Sequence, residues 1–261
     1  MSNWTKKLFI KNSNLFLKFL NERWSRTEEV VNGMVKVLSG FGITKGNLLD
    51  LCCGNGRICI NMAKRGFRAV GVDISKAFLE DAKRKAEEHK VSNMVTFLEG
   101  DVRRLKGVVG KIQQPFDVVV NAWTSIGYFS QKDDLKIFRQ ARELSKENAV
   151  LLIAETMHTE LLAVKFVPTS YGEVDDIVLL ESRNYDLTTS QLKTAWTFYK
   201  KCRENLEFID KVAYEIHVYS PSELSALLRK AGWEPIAFYG SFSTLQPMSP
   251  FTSLNLVAKA K

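Results

Sequence analysis

Hydrophobic positions along this chain change their period twice, and the changes divide it into three kinds of sequence. Residues 1–24 are weakly amphipathic, with Leu15, Phe16, Phe19 and Leu20 at helical spacing and Trp4 and Trp24 as large apolar anchors. A clearer helix follows. Ser25 with Glu28 makes a capping-box pattern, Val30, Val31, Met34, Val35 and Leu38 form an apolar stripe, and Gly40 suits the stop. This N-terminal segment is expected to pack on the edge of a sheet. From Leu48 onward, short apolar runs alternate with helical periods. Leu48–Cys52, Phe67–Val72, Met94–Glu99, Phe116–Ala122 and Ala149–Ala154 read as strands, and Phe116–Ala122 is apolar enough to be covered on both faces. Arg57–Lys64, Ser75–Lys90 and Asp133–Ser145 read as the helices between them, which predicts a parallel sheet with helices on both sides.

From about Tyr171 to Tyr219 the helical period gives way to β-type stretches, Ile177–Tyr185, Leu192–Tyr199 and Leu206–Val218, separated by turn-prone residues. An antiparallel meander inserted after the fifth strand accounts for them. Ser220, Pro221 and Glu223 then give a strong helix start, Gly232 a stop, and Trp233–Tyr239 and Ser253–Ala260 two closing strands. The expected organisation is an N-terminal helical segment (1–45), a main α/β domain (46–157 and 219–261) and an inserted β-rich lid (158–218).

Composition narrows the setting. A chain of 261 residues with 45% apolar and 25% charged residues is ordinary for a globular protein with one sizeable core. No apolar run approaches the roughly 20 residues a bilayer span needs, and Lys11–Asn14 interrupt the apolar start, so neither a membrane segment nor a signal peptide is expected. Of the four cysteines, Cys52, Cys53 and Cys59 fall within one strand–turn–helix unit, which suggests neither a disulfide framework nor a metal site and fits a reducing, cytoplasmic location. A net charge of +8 raises the possibility of a nucleic-acid partner, but the cations are dispersed among acids over several helices, so a solvated surface is the favoured explanation.

The chemistry concentrates at Gly46–Asp73. A buried strand runs into a turn containing Gly54 and Gly56, a helix follows, and a second strand ends on Asp73. Such a turn brings backbone N–H groups close to a ligand, and a carboxylate at the next strand end suits ribose hydroxyls. The phosphate-loop lysine is missing after Gly56, and the third glycine of a dinucleotide fingerprint is replaced by Cys59. The stretch LLDLCCGNGR instead resembles motif I of the class I S-adenosylmethionine-dependent methyltransferases. The resemblance continues through VGVDIS, EGDVRRL, FDVVVNAWTSIGYF and YSPSELSALLRKAGWE, and so covers most of residues 25–261.

That resemblance implies a Rossmann-like, seven-stranded, mostly parallel sheet with a reversed last strand, and S-adenosylmethionine as cofactor. It implies that Asp50 and the backbone of Cys52, Gly54 and Gly56 hold the methionine part. Asp73 would take the ribose hydroxyls, Ile74 one adenine face, Asp101 and Val102 the adenine edge, and Asn121 the neighbourhood of the sulfonium. Cys52 replaces the motif's first glycine, and a cysteine there is expected to keep the turn out of positive φ. Trp123, Ser125 and Tyr128 are the candidates for the acceptor pocket, in a segment lacking the N/D-P-P-Y motif of amino-group methyltransferases. The meander aromatics Tyr171, Tyr185, Trp196, Phe198 and Tyr199 are further candidates, and Arg26 for the cofactor carboxylate. His158 and His217 could serve as bases, although neither has an evident carboxylate partner, and no catalytic residue is assigned. The expected activity is methyl transfer to a small-molecule nitrogen or oxygen. An RNA methyltransferase and a non-catalytic S-adenosylmethionine-binding regulator are the alternatives, and the sequence leaves the oligomeric state open.

Overall fold

The apolar runs do form strands, and their alternation decides which helices cover them. In the computed structural model, which describes residues 3–110, 112 and 115–261, the chain opens with α1 (Asn3–Lys6), a π-helical turn, α2 (Ser13–Glu22) and α3 (Trp24–Ser39). Then follow β1 (Gly46–Leu51), α4 (Arg57–Ala63), β2 (Phe67–Asp73), α5 (Lys76–Glu88), β3 (Val95–Glu99), α6 (Leu105–Val109), β4 (Phe116–Ala122), α7 (Gln131–Glu143) and β5 (Ser145–Thr156). After α8 (Thr159–Lys165) come β6 (Thr169–Val174), β7 (Ile177–Asp186), β8 (Gln191–Cys202) and β9 (Asn205–His217). The chain closes with α9 (Pro221–Lys230), β10 (Trp233–Tyr239) and β11 (Leu254–Ala260).

Seven strands make one sheet in the order β10-β11-β5-β4-β1-β2-β3. β1 pairs in parallel with both β2 and β4, while β11 runs antiparallel to β5 and to β10. Strand order therefore reverses between β1 and β4, which opens a crevice at their C-terminal ends. Successive residues serve opposite layers. Leu48, Val118 and Val120 pack with Val31 and Met34 of α3, Ile60 of α4 and Leu79 of α5. Leu49, Leu51 and Val119 pack with Leu105 of α6, Phe138 of α7 and Leu228 of α9. Residues buried on both faces of β1 and β4 explain why these runs show no polar alternation.

A second sheet, β6-β7-β8-β9, is antiparallel throughout. β6 escapes the sequence pattern because it is a half-exposed outer strand with few apolar residues, and α8 falls within the stretch expected to be β-rich.

The N-terminal segment is not at the sheet edge. α3 covers one face of the large sheet, whereas Phe16 and Leu20 of α2 pack with Phe78 of α5 and Ile177, Leu179 and Phe198 of the small sheet. The Ser25 capping box does not form either. Arg23 is already helical (φ −79°, ψ −8°), so there is no extended cap position for Ser25 to occupy. At Ser220, an extended residue, the box does form: Ser220 Oγ accepts from Glu223 N (3.1 Å) and Glu223 Oε2 from Ser220 N (2.9 Å), whereas Ser75, also extended, makes no side-chain cap to α5.

Close approach of α3 to the loop before β11 depends on Gly33, where an added Cβ would lie 1.6 Å from the Phe242 carbonyl oxygen. On an open helix Gly→Ala stabilises by about 1 kcal/mol. Here Gly33→Ala is expected to destabilise by about 1–3 kcal/mol through overpacking, measured as a lower denaturant midpoint, and a midpoint at or above wild type would contradict this packing.

Candidate cofactor and acceptor site

The glycine turn is held from below by β2. Cys53 N donates to Val72 O (3.0 Å), Gly54 N donates to Asp73 Oδ2 (2.8 Å), and Ser75 N donates to Asp73 Oδ1 (2.9 Å). Burial raises the Asp73 carboxyl above the ordinary range, and these backbone donors act against the rise. Gly56 ends the turn at φ 72°, where an added Cβ would come within 2.7 Å of the Phe97 ring. Cys52 departs from expectation. It adopts φ 61°, so the turn does use the left-handed region at the motif's first glycine position, although the residue has a side chain. Neighbouring strands end the same way: Trp123 after β4 has φ 62° and Glu155 at the end of β5 has φ 54°. Such backbone costs about 1–3 kcal/mol per residue and persists where surrounding structure imposes it, most often at ligand sites. Trp123 N donates to Ala154 O (2.8 Å), which fixes this exit against β5.

Above these strand ends lies a cavity with about 720 Å³ of empty space, counting its mouth. Cys52, Gly54, Asp73, Ile74, Asp101 and Val102 line it, and so do Trp123, Ser125 and Tyr128. Asp50, Gly56 and Asn121 do not. Asp50 is 1% exposed and accepts from Cys59 Sγ (3.4 Å). Burial lifts its carboxyl to about 7, against the Cys59 hydrogen bond and the nearby Arg57 charge. Asn121 Nδ2 donates to Ser125 Oγ (2.7 Å) and Leu51 O (3.2 Å), while its buried Oδ1 has no protein partner. Asp101 caps the short turn after β3 and receives the Arg103 fork (2.6 Å). Burial alone would raise its carboxyl, but the Arg103 contacts hold it below the usual range.

The N-terminal segment supplies walls that the sequence did not assign: Thr5, Phe9, Phe16 and Leu20. Phe16 lies parallel to Trp123 at 6.0 Å, and Phe9 stacks on Tyr128 at 5.8 Å. The apolar stripe of α2 was visible, but its target was not. None of the meander aromatics lines this cavity. Tyr171 is 77% exposed, Tyr185 packs on Phe166, Tyr199 packs on Phe208, and Phe198 is core. Trp196 packs on Phe16 and lines a neighbouring cavity, as does Arg26. Both histidines have carboxylates nearby, contrary to expectation, and neither lines the cavity. His158 is fully buried between Glu160 (3.0 Å) and Thr252 O (2.8 Å). His217 meets Gln131 at 3.2 Å and Glu223 at 3.9 Å.

Asp50 ties this site to stability. Its carboxyl binds a proton more tightly in the folded chain, so its contribution is full below the unfolded value near 4 and is lost as pH rises towards about 7. Asp134, also lifted to about 7 by burial, adds in the same sense. Asp50→Asn is expected to flatten the fall of unfolding free energy between pH 5 and 7 by about 1.4 kcal/mol per pH unit, and an unchanged slope would show that Asp50 is ionised throughout.

A methyltransferase-domain family model matches residues 44–225. YqeM of Bacillus subtilis (strain 168), itself only provisionally assigned as a methyltransferase, is 32% identical over 134 residues, which is 51% of each chain. The chain thus spans about half the length of that curated relative. Among solved structures, an S-adenosylmethionine-dependent methyltransferase from Clostridium acetobutylicum ATCC 824 aligns with TM-score 0.76 at 16% identity, over 95% of this chain and 98% of that one. The sugar N-methyltransferase KedS8 from Streptoalloteichus sp ATCC 53650 aligns with TM-score 0.71 at 16% identity, over 95% and 92%. At such identities the likeness concerns the fold. The family match, in contrast, runs through the glycine turn, Asp73, Asp101 and the β4 exit, and on it this chain belongs to the class I S-adenosylmethionine-dependent methyltransferase family.

Proposed function

We propose that this protein transfers the methyl group of S-adenosylmethionine to a nitrogen or oxygen of a small-molecule acceptor. One observation carries the proposal: six of the residues expected to hold the cofactor, Cys52, Gly54, Asp73, Ile74, Asp101 and Val102, line one cavity with the three expected to meet the acceptor. The residues fit the cofactor. Asp73 uses one lone-pair site on each oxygen for Gly54 and Ser75, which leaves acceptor capacity for two ribose hydroxyls. Ile74 and Val102 offer apolar faces to a planar base, and Asp101 an acceptor at its edge. S-adenosylmethionine supplies an electrophilic methyl group, so the chain's part is position and exclusion of water.

Phe9, Phe16, Leu20 and Phe78 make the cavity largely apolar, which serves that exclusion. No histidine is among its lining residues, which favours an acceptor that arrives already deprotonated, such as a neutral amine, over one needing a strong base. In this reading residues 158–218 act as a lid through α2, which their sheet packs against, and not by lining the cofactor cavity themselves. The sugar specificity in the KedS8 name supports a small acceptor. An RNA substrate gains little support from charge, since three of the four cations of α5 are matched on the same helix: Lys76 with Glu80, Arg84 with Glu88 and Lys85 with Asp81.

Calorimetry with S-adenosylmethionine and S-adenosylhomocysteine is the direct test. Wild type should bind both, and Asp73→Ala should bind at least about tenfold more weakly, as expected for loss of charge-assisted hydrogen bonds. Absence of wild-type binding, or undiminished binding by the variant, would remove the proposal.

A further inference from the structure

The walls of the cofactor cavity differ in how they are held. Its floor is the turn tied to Asp73, and the β4 exit is fixed twice: Trp123 N donates to Ala154 O (2.8 Å), and Gly127 N donates to the Asp134 carboxylate (3.2 Å). α2 is held from both sheets. Phe16 and Leu20 pack with Phe78 of α5 and with Leu179 and Phe198 of the small sheet, Lys18 pairs with Asp175 (2.9 Å) and Asp176 (3.1 Å), and Asn21 accepts from Asn55 Nδ2 beside the glycine turn (2.8 Å). Residues 3–12, which contribute Thr5 and Phe9 to the wall, are built differently. They comprise the single turn of α1 and a π-helical turn (Lys7–Lys11), and a non-helical residue, Asn12 (φ −102°, ψ 20°), separates them from α2. Turns of this kind are rare and frequently lie at functional sites. Among the described residues, every ion pair made by this stretch ends on one carboxylate, that of Asp210 in β9, which meets Lys7 (2.9 Å) and Lys11 (3.4 Å). Asn12 Nδ2 donates to the same carboxylate (3.0 Å), and Lys7 Nζ also donates to the neighbouring Lys211 O (2.7 Å). Towards the large sheet the stretch presents rings: Phe9 lies 6.3 Å from Phe78 and 5.8 Å from Tyr128, and Trp4 lies 5.2 Å from Tyr128. Rings can part from rings without leaving a buried polar group unpaired.

We propose that residues 3–12 are a removable wall through which the methyl donor enters and leaves, with Asn12 as the hinge and Asp210 as the latch that holds the wall shut. The inference rests on the methyltransferase reading for the identity of the ligand. Asp210 does not line the cavity, so it is a positioning residue: through Lys7 and Asn12 it keeps Thr5 and Phe9 in place. Swinging the stretch out exposes Leu8, which is 2% exposed when the wall is shut. The shut form therefore dominates with or without ligand, and opening sets the pace of exchange. Because the latch makes the same contacts in both states, weakening it speeds entry and exit alike and leaves affinity nearly unchanged. A residue that only supports the bound geometry would instead speed exit alone.

The test is stopped-flow tryptophan fluorescence on the full chain, which reads association and dissociation of S-adenosylhomocysteine separately. Asp210→Asn should raise both rates by about fivefold while affinity stays within about threefold of wild type, and Asp210→Glu should restore part of the slow exchange. Raising sodium chloride from about 0.05 M to about 0.5 M should speed both rates in wild type and have little effect in Asp210→Asn. Lys7→Gln, which changes a side chain 38% exposed, attacks the same pair from the other side and serves if Asp210→Asn folds poorly. Rates equal to wild type would overturn the proposal. So would faster exit with unchanged entry, which would make Asp210 a support of the bound state. Failure of wild type to bind S-adenosylhomocysteine would count against the methyltransferase reading instead. The latch is then decided on the free protein by trypsin, whose cleavage after Lys7 and Lys11 should be faster in Asp210→Asn than in wild type; equal cleavage would remove it.

Discussion

A single carboxylate holds the site together. Asp73 closes β2, and its two oxygens accept from Gly54 N in the glycine turn and Ser75 N at the start of α5. These bonds join three pieces of chain, β1's exit, β2's end and the next helix, around one buried charge. Hydrogen bonds to an ionised group are roughly twice as strong as neutral ones, and a buried carboxylate without them would be costly. The turn's shape and its fitness for a ribose therefore have one cause.

Around that carboxylate the backbone is forced at three adjacent exits. β1, β4 and β5 are neighbours, and Cys52, Trp123 and Glu155 at their ends all adopt left-handed φ without being glycine. The central residues of these strands, Leu48 and Leu49, Val118 to Val120 and Val150 to Ile153, are buried and apolar, and the left-handed residues collect at the rim beyond them. Their placement has a spatial consequence, since Trp123 stands where it can stack with Phe16 on one cavity and carry Arg23 beside the neighbouring one. The aromatic roof formed by α2 then keeps the rim dry. The small sheet contributes mainly by packing on that roof, which explains why its own aromatics are spent on contacts with Phe166, Phe208 and the core.

Where local sequence dictates local structure, the pattern was legible. The box at Ser220 formed on an extended cap residue, and the apolar runs at β1 and β4 became central strands because both their faces are covered. Ser25 carried the same type of signal and failed, because the chain before it was already helical. Cys52 failed in another way. Its side chain argued against positive φ, but pairing of Cys53 N with Val72 O and of Gly54 N with Asp73 outweighed the local preference.

The sequence by itself determined the strands of the large sheet, the glycine turn and the carboxylates at two strand ends, while the place of the reversed strand came from the resemblance to the family. The strands, the turn and the carboxylates follow from period, turn chemistry and a motif whose residues lie within one strand–turn–helix unit or at the next strand ends. Only the tertiary structure decided that α2 roofs the cavity, that the meander aromatics lie away from it, and that Arg23 meets Trp123. The Phe16–Trp123 and Arg23–Trp123 contacts join residues about a hundred positions apart. An amphipathic stripe shows that a face will be buried, but contains no information about what will bury it.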